Sequence, residues 1–306
     1  MTGESRAELE AAIAQLLGDV AEGEPTVAEQ RDGYNRFGDL MPLPDDAVAT
    51  SVSLGGVPAT VVDASGGAAT TTILYFHGGG YVIGSFRSHQ GFIAALSKLT
   101  GSKVVVPEYR LAPEHPFPAA VEDAVTAYSA LLAGGSSPAS IVISGDSAGG
   151  GLGLAALVAI RDRGLERPAG GVLFSPWTDL SFTGETLVTN KDVDTMVAEP
   201  MIRVMAGRYI ADSDPKDPLL SPVYADLAGL PRLRLHVGGD EILLDDSRRI
   251  VDHAAAAGVE CTIRVWPKML HVFPTYAPLL PPGHEAWTAL RDVADFTASC
   301  FAQAAG

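Results

Sequence analysis

Apolar residues recur along this chain in two rhythms. Near the N-terminus Leu9, Ile13, Leu16 and Leu17 stand at helical spacing, which predicts a helix over 5–17; a second helix is expected over 26–37. Residues 47–54 and 57–62 then read as two strands parted by Gly55-Gly56, a hairpin signal. Beyond them, short runs rich in β-branched residues predict buried strands at 71–76, 103–109, 141–144, 171–174, 233–237 and 261–266. Helices fit at about 88–100, 118–133, 148–163, 244–257 and 284–302. One hairpin followed by strand–helix alternation implies an α/β fold: a mostly parallel eight-stranded sheet with helices on both faces.

One interval breaks the alternation. Almost sixty residues separate Phe174 from Leu233, with a helix expected over 200–211. An insertion of this length at the carboxyl end of a strand more often than not covers a site. Residues 178–222 and the N-terminal segment 1–45 are therefore read as a cap. Residues 46–177 and 223–306 are read as the two parts of the core.

The strand at 141–144 runs into Gly145-Asp146-Ser147-Ala148-Gly149-Gly150. This is G-x-S-x-G in a strand–turn–helix setting, where a sharp turn lifts a serine hydroxyl clear of the sheet. Gly145 and Gly149 fall where a Cβ would collide with strand or helix. Ser147 is the candidate nucleophile. Upstream, the strand at 71–76 ends on His77-Gly78-Gly79-Gly80-Tyr81. Glycines let backbone N–H groups converge on one point, as a developing oxyanion requires. Gly79 and Gly80, with Ala148, are the expected donors of an oxyanion hole, and Gly78 is its turn former.

The base should follow late in the chain, because this fold class orders its triad serine, acid, histidine. His77 is set aside as a loop brace. His89, His115, His236, His253 and His284 sit in or at the start of other elements or in a proline-rich stretch. His271 alone follows the last strand on a short loop, where an imidazole can reach Ser147. The acid should follow the strand at 233–237, where Asp240, Glu241, Asp245 and Asp246 compete. Asp245 and Asp246 stand at a helix start, where capping is the expected role. Asp240 and Glu241 lie on the turn, and local chemistry does not separate them.

Composition narrows the partners. With 21 basic and 37 acidic residues the formal net charge is −16, which repels nucleic-acid phosphate and anionic lipid. Cys261 and Cys300 lack metal spacing and are expected to be free thiols. The polar N-terminus shows no signal-peptide pattern, and the apolar run 149–160 is too short to span a membrane. A cytoplasmic protein is expected, with no nucleic-acid or membrane partner.

These motifs carry a resemblance. His77-Gly78-Gly79-Gly80, Tyr109-Arg110-Leu111-Ala112-Pro113-Glu114, Gly145-Asp146-Ser147-Ala148-Gly149-Gly150 and Trp266-Pro267 with His271-Val272-Phe273 are similar to the bacterial hormone-sensitive-lipase-like esterases, family IV of the α/β-hydrolase fold. The likeness covers roughly residues 45–300. In that family the acid stands in an Asp-Pro-Leu-x-Asp-[Glu/Asp] pattern. Aligning the leucine and the trailing acids places the acid on Glu241 rather than Asp240, a departure from the common Asp. The resemblance implies an ester hydrolase with Ser147, Glu241 and His271 as its triad and with no metal or organic cofactor. It further implies short-to-medium acyl esters as substrates and a homodimer through the last strand and helix. Tyr81, Trp177 and Phe273 lie on loops or strand ends near the expected triad, where lining an acyl or alcohol pocket and packing in the core are the two readings of each. A lactone hydrolase, a deacetylase and a non-catalytic ligand receptor are the alternatives on this scaffold.

Overall fold

The computed structural model describes residues 2–17 and 25–304; Met1 and residues 18–24 of the expected N-terminal cap segment lie outside the described residues. Its centre is one eight-stranded sheet. The strands are β1 (Val48–Leu54), β2 (Val57–Asp63), β3 (Thr72–Phe76), β4 (Lys103–Pro107), β5 (Ile141–Asp146), β6 (Gly170–Phe174), β7 (Leu233–Gly238) and β8 (Cys261–Trp266). Their spatial order is β1-β2-β4-β3-β5-β6-β7-β8. The β1–β2 and β2–β4 pairs are antiparallel and all others parallel. The hairpin closes on Gly55 (φ 62°) and Gly56 (φ 98°), left-handed at both central positions, as a two-residue turn matched to strand twist requires.

Side chains alternate between two cores, as a pleated strand dictates. Leu74 and Phe76 of β3, Ile143 of β5 and Leu173 of β6 join one cluster. Ile73, Tyr75, Val142, Val172 and Phe174 join the other. The first cluster is covered by α5 (Ala119–Ala133), α6 (Ala148–Asp162) and α9 (Leu244–Ala256), the second by α4 (Phe86–Thr100) and α10 (Glu285–Ala304). The segments expected to form a cap carry α1 (Thr2–Leu17), α2 (Val27–Asn35), α3 (Phe37–Leu40), α7 (Thr186–Thr189) and α8 (Glu199–Ile210). Thr26 and Glu29 form a capping box that starts α2.

Two of the boundaries that differ from expectation matter for the site. The strand expected to stop at 144 continues through Asp146, because Gly145 and Asp146 still pair with Leu173 and Phe174 of β6. The strand expected over 103–109 ends at Pro107, and Tyr109 turns inward to stack on the His77 ring, centroids 4.4 Å apart. Strand order also reverses direction at the centre. From β3 the chain crosses outward to β4, whereas from β5 it proceeds to β6 on the other side. The crevice beyond the carboxyl ends of β3 and β5 is thus the switch point where open α/β sheets bind ligands.

Candidate active site

At that switch point β5 meets α6 through one residue, Ser147, with φ 53° and ψ −123°. Such a backbone conformation costs on the order of 1–3 kcal/mol and persists only where its surroundings enforce it. Ser147 N–H donates to Phe174 O at 2.9 Å, and its carbonyl accepts the N–H groups of Trp177 (2.9 Å) and Gly151 (3.0 Å). The crossing is too close for side chains. A Cβ on Gly145 would lie 2.3 Å from Gly149 O, and one on Gly149 would lie 2.0 Å from Phe76 O. From residue 141 to residue 160 every position is buried except Ser147. The turn therefore exposes the serine and nothing around it.

The glycine loop after β3 faces this turn. Gly79 (φ 115°) and Gly80 (φ 62°) both take backbone shapes that favour glycine. Gly78 N–H donates to Asp146 Oδ1 at 2.8 Å. That bond removes Gly78 from the set of free donors and leaves it as the turn former. Among the described residues, the N–H groups of Gly79, Gly80 and Ala148 have no acceptor. His77 braces the loop, its Nδ1–H donating to Gly78 O at 2.8 Å while Tyr109 Oη–H donates to His77 O at 2.7 Å. Burial and then the neighbouring His89 push the His77 pKa down to about 4, so its ring is neutral and it is no base at ordinary pH.

Asp146 is the hidden joint between the two loops. Besides Gly78 N–H it accepts Tyr75 Oη–H at 2.6 Å, and His89 Nε2 lies 3.4 Å from the same oxygen. Burial opposes its charge, but His89 outweighs burial and holds the carboxyl below its ordinary value. Tyr75 and His89 gave no sign of this role in the sequence, since each lies inside a regular element.

The residues expected as acid and base, Glu241 and His271, meet at the far side of the crevice. His271 Nδ1 donates to Glu241 Oε2 at 2.7 Å, which leaves Nε2 as the nitrogen that can take a proton. Glu241 is fully buried, and its other oxygen accepts Ser175 Oγ–H (2.8 Å) and Gly238 N–H (2.5 Å). Ser175 Oγ in turn accepts the N–H of Val272 at 3.0 Å. Burial disfavours the imidazolium, but the Glu241 charge and hydrogen bond prevail and hold His271 above the ordinary histidine value. Among the described residues no hydrogen bond joins Ser147 Oγ to His271, and such contacts often tighten only with substrate in place.

Asp240, the competing carboxylate, turns away from His271 and pairs with Arg6 of α1. Asp245 and Asp246 do not cap α9, whose N-cap is Leu243 with no side-chain bond. Instead Asp246 is buried and accepts Thr178 N–H (2.7 Å) and Asp179 N–H (2.9 Å), and Asp245 accepts Thr186 N–H at 3.1 Å. Both carboxylates anchor the inserted segment to α9. The three pocket candidates are packed. Tyr81 stacks face to face on Tyr209 of α8 at 3.8 Å, Trp177 lies between Tyr81 and Phe182, and Phe273 packs against Trp266 in the other core. Met205 of α8 overhangs the glycine loop so closely that a Cβ on Gly80 would lie 2.3 Å from its sulfur. Among the described residues no cluster of His, Cys, Asp and Glu could hold a metal, Cys261 and Cys300 are free thiols, and no helix is long and apolar enough to cross a membrane.

Known proteins share this arrangement. The family model of an α/β-hydrolase fold matches residues 73–275. An acetyl-hydrolase from Streptomyces hygroscopicus is 46% identical over 213 residues, covering 70% of this chain and 71% of the relative. An esterase from Acinetobacter venetianus is 36% identical over 261 residues, 85% of each chain. A solved esterase of the bacterial hormone-sensitive-lipase family superposes with a TM-score of 0.92 at 43% identity, over 96% of this chain and 98% of that one. With its elbow, glycine loop and sheet order, the chain belongs to the hormone-sensitive-lipase-like family IV esterases of the α/β-hydrolase fold, and is a carboxylic ester hydrolase.

Proposed function

We propose that this chain is a serine carboxylesterase that cleaves short-to-medium acyl esters through an acyl-enzyme on Ser147. The observation that carries the reading is the Glu241–His271 bond, which leaves His271 Nε2 free while Ser147 is the accessible residue of the elbow. His271 Nε2 takes the Ser147 proton as Oγ attacks the ester carbonyl. Charge on the carbonyl oxygen develops toward the N–H groups of Gly79, Gly80 and Ala148, each donor lowering the barrier by roughly 3–4 kcal/mol. The alcohol leaves with the proton from His271. Water, deprotonated by the same imidazole, then releases the acid. Glu241 keeps the imidazole in the tautomer that this cycle needs.

Tyr81 and Trp177 form the wall behind the pocket, Met205 its roof, and Phe273 the support of the base loop. The roof supports small acyl groups, and so does likeness to a protein named acetyl-hydrolase. A second reading follows from the same two facts: removal of acetyl groups from a particular acetylated substrate. Hydrolysis of p-nitrophenyl acetate, butyrate, octanoate and laurate by wild type and Ser147→Ala tests both. Turnover peaking at butyrate and absent in Ser147→Ala supports the general esterase. Turnover confined to acetate favours the deacetylase, and unchanged turnover in Ser147→Ala refutes the serine mechanism.

A further inference from the structure

The turn that carries Glu241 is bonded from three sides by residues distant in sequence. Arg6 of α1 donates to the Asp240 carboxylate, to Val193 O at 2.7 Å and to Glu10 Oε1 at 2.9 Å. Asp240 N–H donates to Met269 O at 3.2 Å, two residues before His271. From the inserted segment, Asn190 Nδ2 donates to Gly239 O (3.2 Å) and Glu241 O (3.0 Å), and Asp194 Oδ2 accepts Ile242 N–H at 2.8 Å. Arg6 and Asp240 are both mostly sheltered from solvent, with side chains 18% and 26% exposed, so water screens their pairing only in part.

A strand-to-helix turn closes without such ties. Their common effect is to make the position of Glu241 depend on α1 and on the 190–194 segment being docked. Building on the esterase reading above, we propose that Arg6 is a positioning residue: its ion pair with Asp240 holds the acid turn where Glu241 can orient His271, coupling hydrolysis to the seating of the N-terminal helix. Glu241 bonds His271 directly and, with Asp194 and Asp146, supplies the negative charge that acts on it; the Arg6–Asp240 pair stands one residue before Glu241.

Charge balance gives the two partners opposite signatures. Arg6→Met leaves the Asp240 charge uncompensated, so the acid limb of kcat/KM moves up by roughly half a pH unit. Its kcat falls about tenfold as the turn loosens, with KM within about twofold. Asp240→Asn leaves the cation alone and moves the limb down by a similar amount. Arg6→Lys keeps the charge but not the fork, and restores the limb while recovering only part of kcat.

The same shifts are read without turnover from the His271 Hε1 resonance titrated by NMR. If Arg6→Met and Asp240→Asn lower Tm but leave the His271 titration and kcat at wild-type values, Arg6 is a structural anchor alone and the proposal is overturned. Should Arg6→Met fail to fold, Asp240→Asn decides by the same criterion. A wild type that titrates as expected yet cleaves no ester refutes the esterase reading. An active wild type whose two variants leave both the His271 titration and kcat unmoved refutes the role of Arg6.

Discussion

Ser175 Oγ donates to Glu241 Oε1 at 2.8 Å while accepting the N–H of Val272, the residue after His271. One hydroxyl just after β6 thus ties Glu241, after β7, to the loop of His271, after β8. Its own backbone is held at φ 43°, so its placement is imposed by the loop rather than by local preference. Ser175→Ala removes both bonds and leaves a buried N–H and a carboxylate oxygen short of partners, at about 1–3 kcal/mol for each group. We expect kcat to fall roughly 10- to 100-fold with KM within twofold, measured on a soluble ester. Activity within twofold of wild type would show that the acid–base pair keeps its geometry without this hydroxyl.

The pH profile should report His271. Its pKa is held above the ordinary 6.5 by Glu241, against the effect of burial. Rate is lost as pH falls through that raised value, because a protonated imidazole cannot accept the Ser147 proton. The acid limb of kcat/KM should therefore have its midpoint above 6.5. Glu241→Gln removes the largest charge that opposes burial and leaves only the weaker pull of Asp194 and Asp146. Its limb should move down from the wild-type position while kcat falls roughly 10³- to 10⁴-fold. A limb that stayed in place would remove Glu241 from its role.

The oxyanion loop can be tested through its backbone. A Cβ on Gly79, at φ 115°, would meet Ile83 O at 2.2 Å, a backbone atom with no room to retreat. Gly79→Ala must therefore shift the loop and its donor. We expect kcat to drop about 100-fold or more, with a stability loss on the order of 1–3 kcal/mol in chemical denaturation. Gly67→Ala is the control. It shares a positive φ of 84° but has nothing within 4 Å, so its activity should match wild type.

Asp246 gives a stability prediction with a defined sign. Burial, and then the nearby Asp179 charge, raise its pKa from 3.8 to about 7. Between about pH 4 and pH 7 the unfolded chain releases this proton and the folded chain keeps it, so stability falls with rising pH across that window. Asp246→Asn keeps an oxygen for Thr178 and Asp179 N–H and cannot ionise. Its advantage over wild type should grow from pH 4 to pH 7 and then level off, by on the order of 1–3 kcal/mol. Denaturant titrations at pH 5 and pH 8 measure it, and an advantage that does not change with pH would contradict the buried-charge argument.

Much of this protein is written in local pattern. Runs such as 141–144 announce buried strands because β-branched side chains suit a pleat packed on both faces. The glycines around Ser147 and after His77 announce close backbone approach, because no other residue fits there. The choice between Asp240 and Glu241 was not local. Both lie on one turn, and the direction in which that turn faces His271 or Arg6 decides. Ser175 to Glu241 spans 66 residues, Tyr75 to Asp146 spans 71 and Arg6 to Asp240 spans 234. These partners become neighbours only once strand order is set and the N-terminal and inserted segments have docked. The partners of Asp246, which stands in the first turn of α9 without capping it, are hidden for the same reason. A carboxylate at a helix start resembles a cap until the inserted segment folds over it.

The most direct measurement is intact-protein and peptide mass spectrometry after exposure to a fluorophosphonate, which captures an activated serine. One adduct per chain, located on Ser147, abolished by Ser147→Ala and strongly slowed by His271→Ala, is the expected result. Modification elsewhere, or none in a folded chain that still cleaves esters, would contradict nucleophilic attack by Ser147.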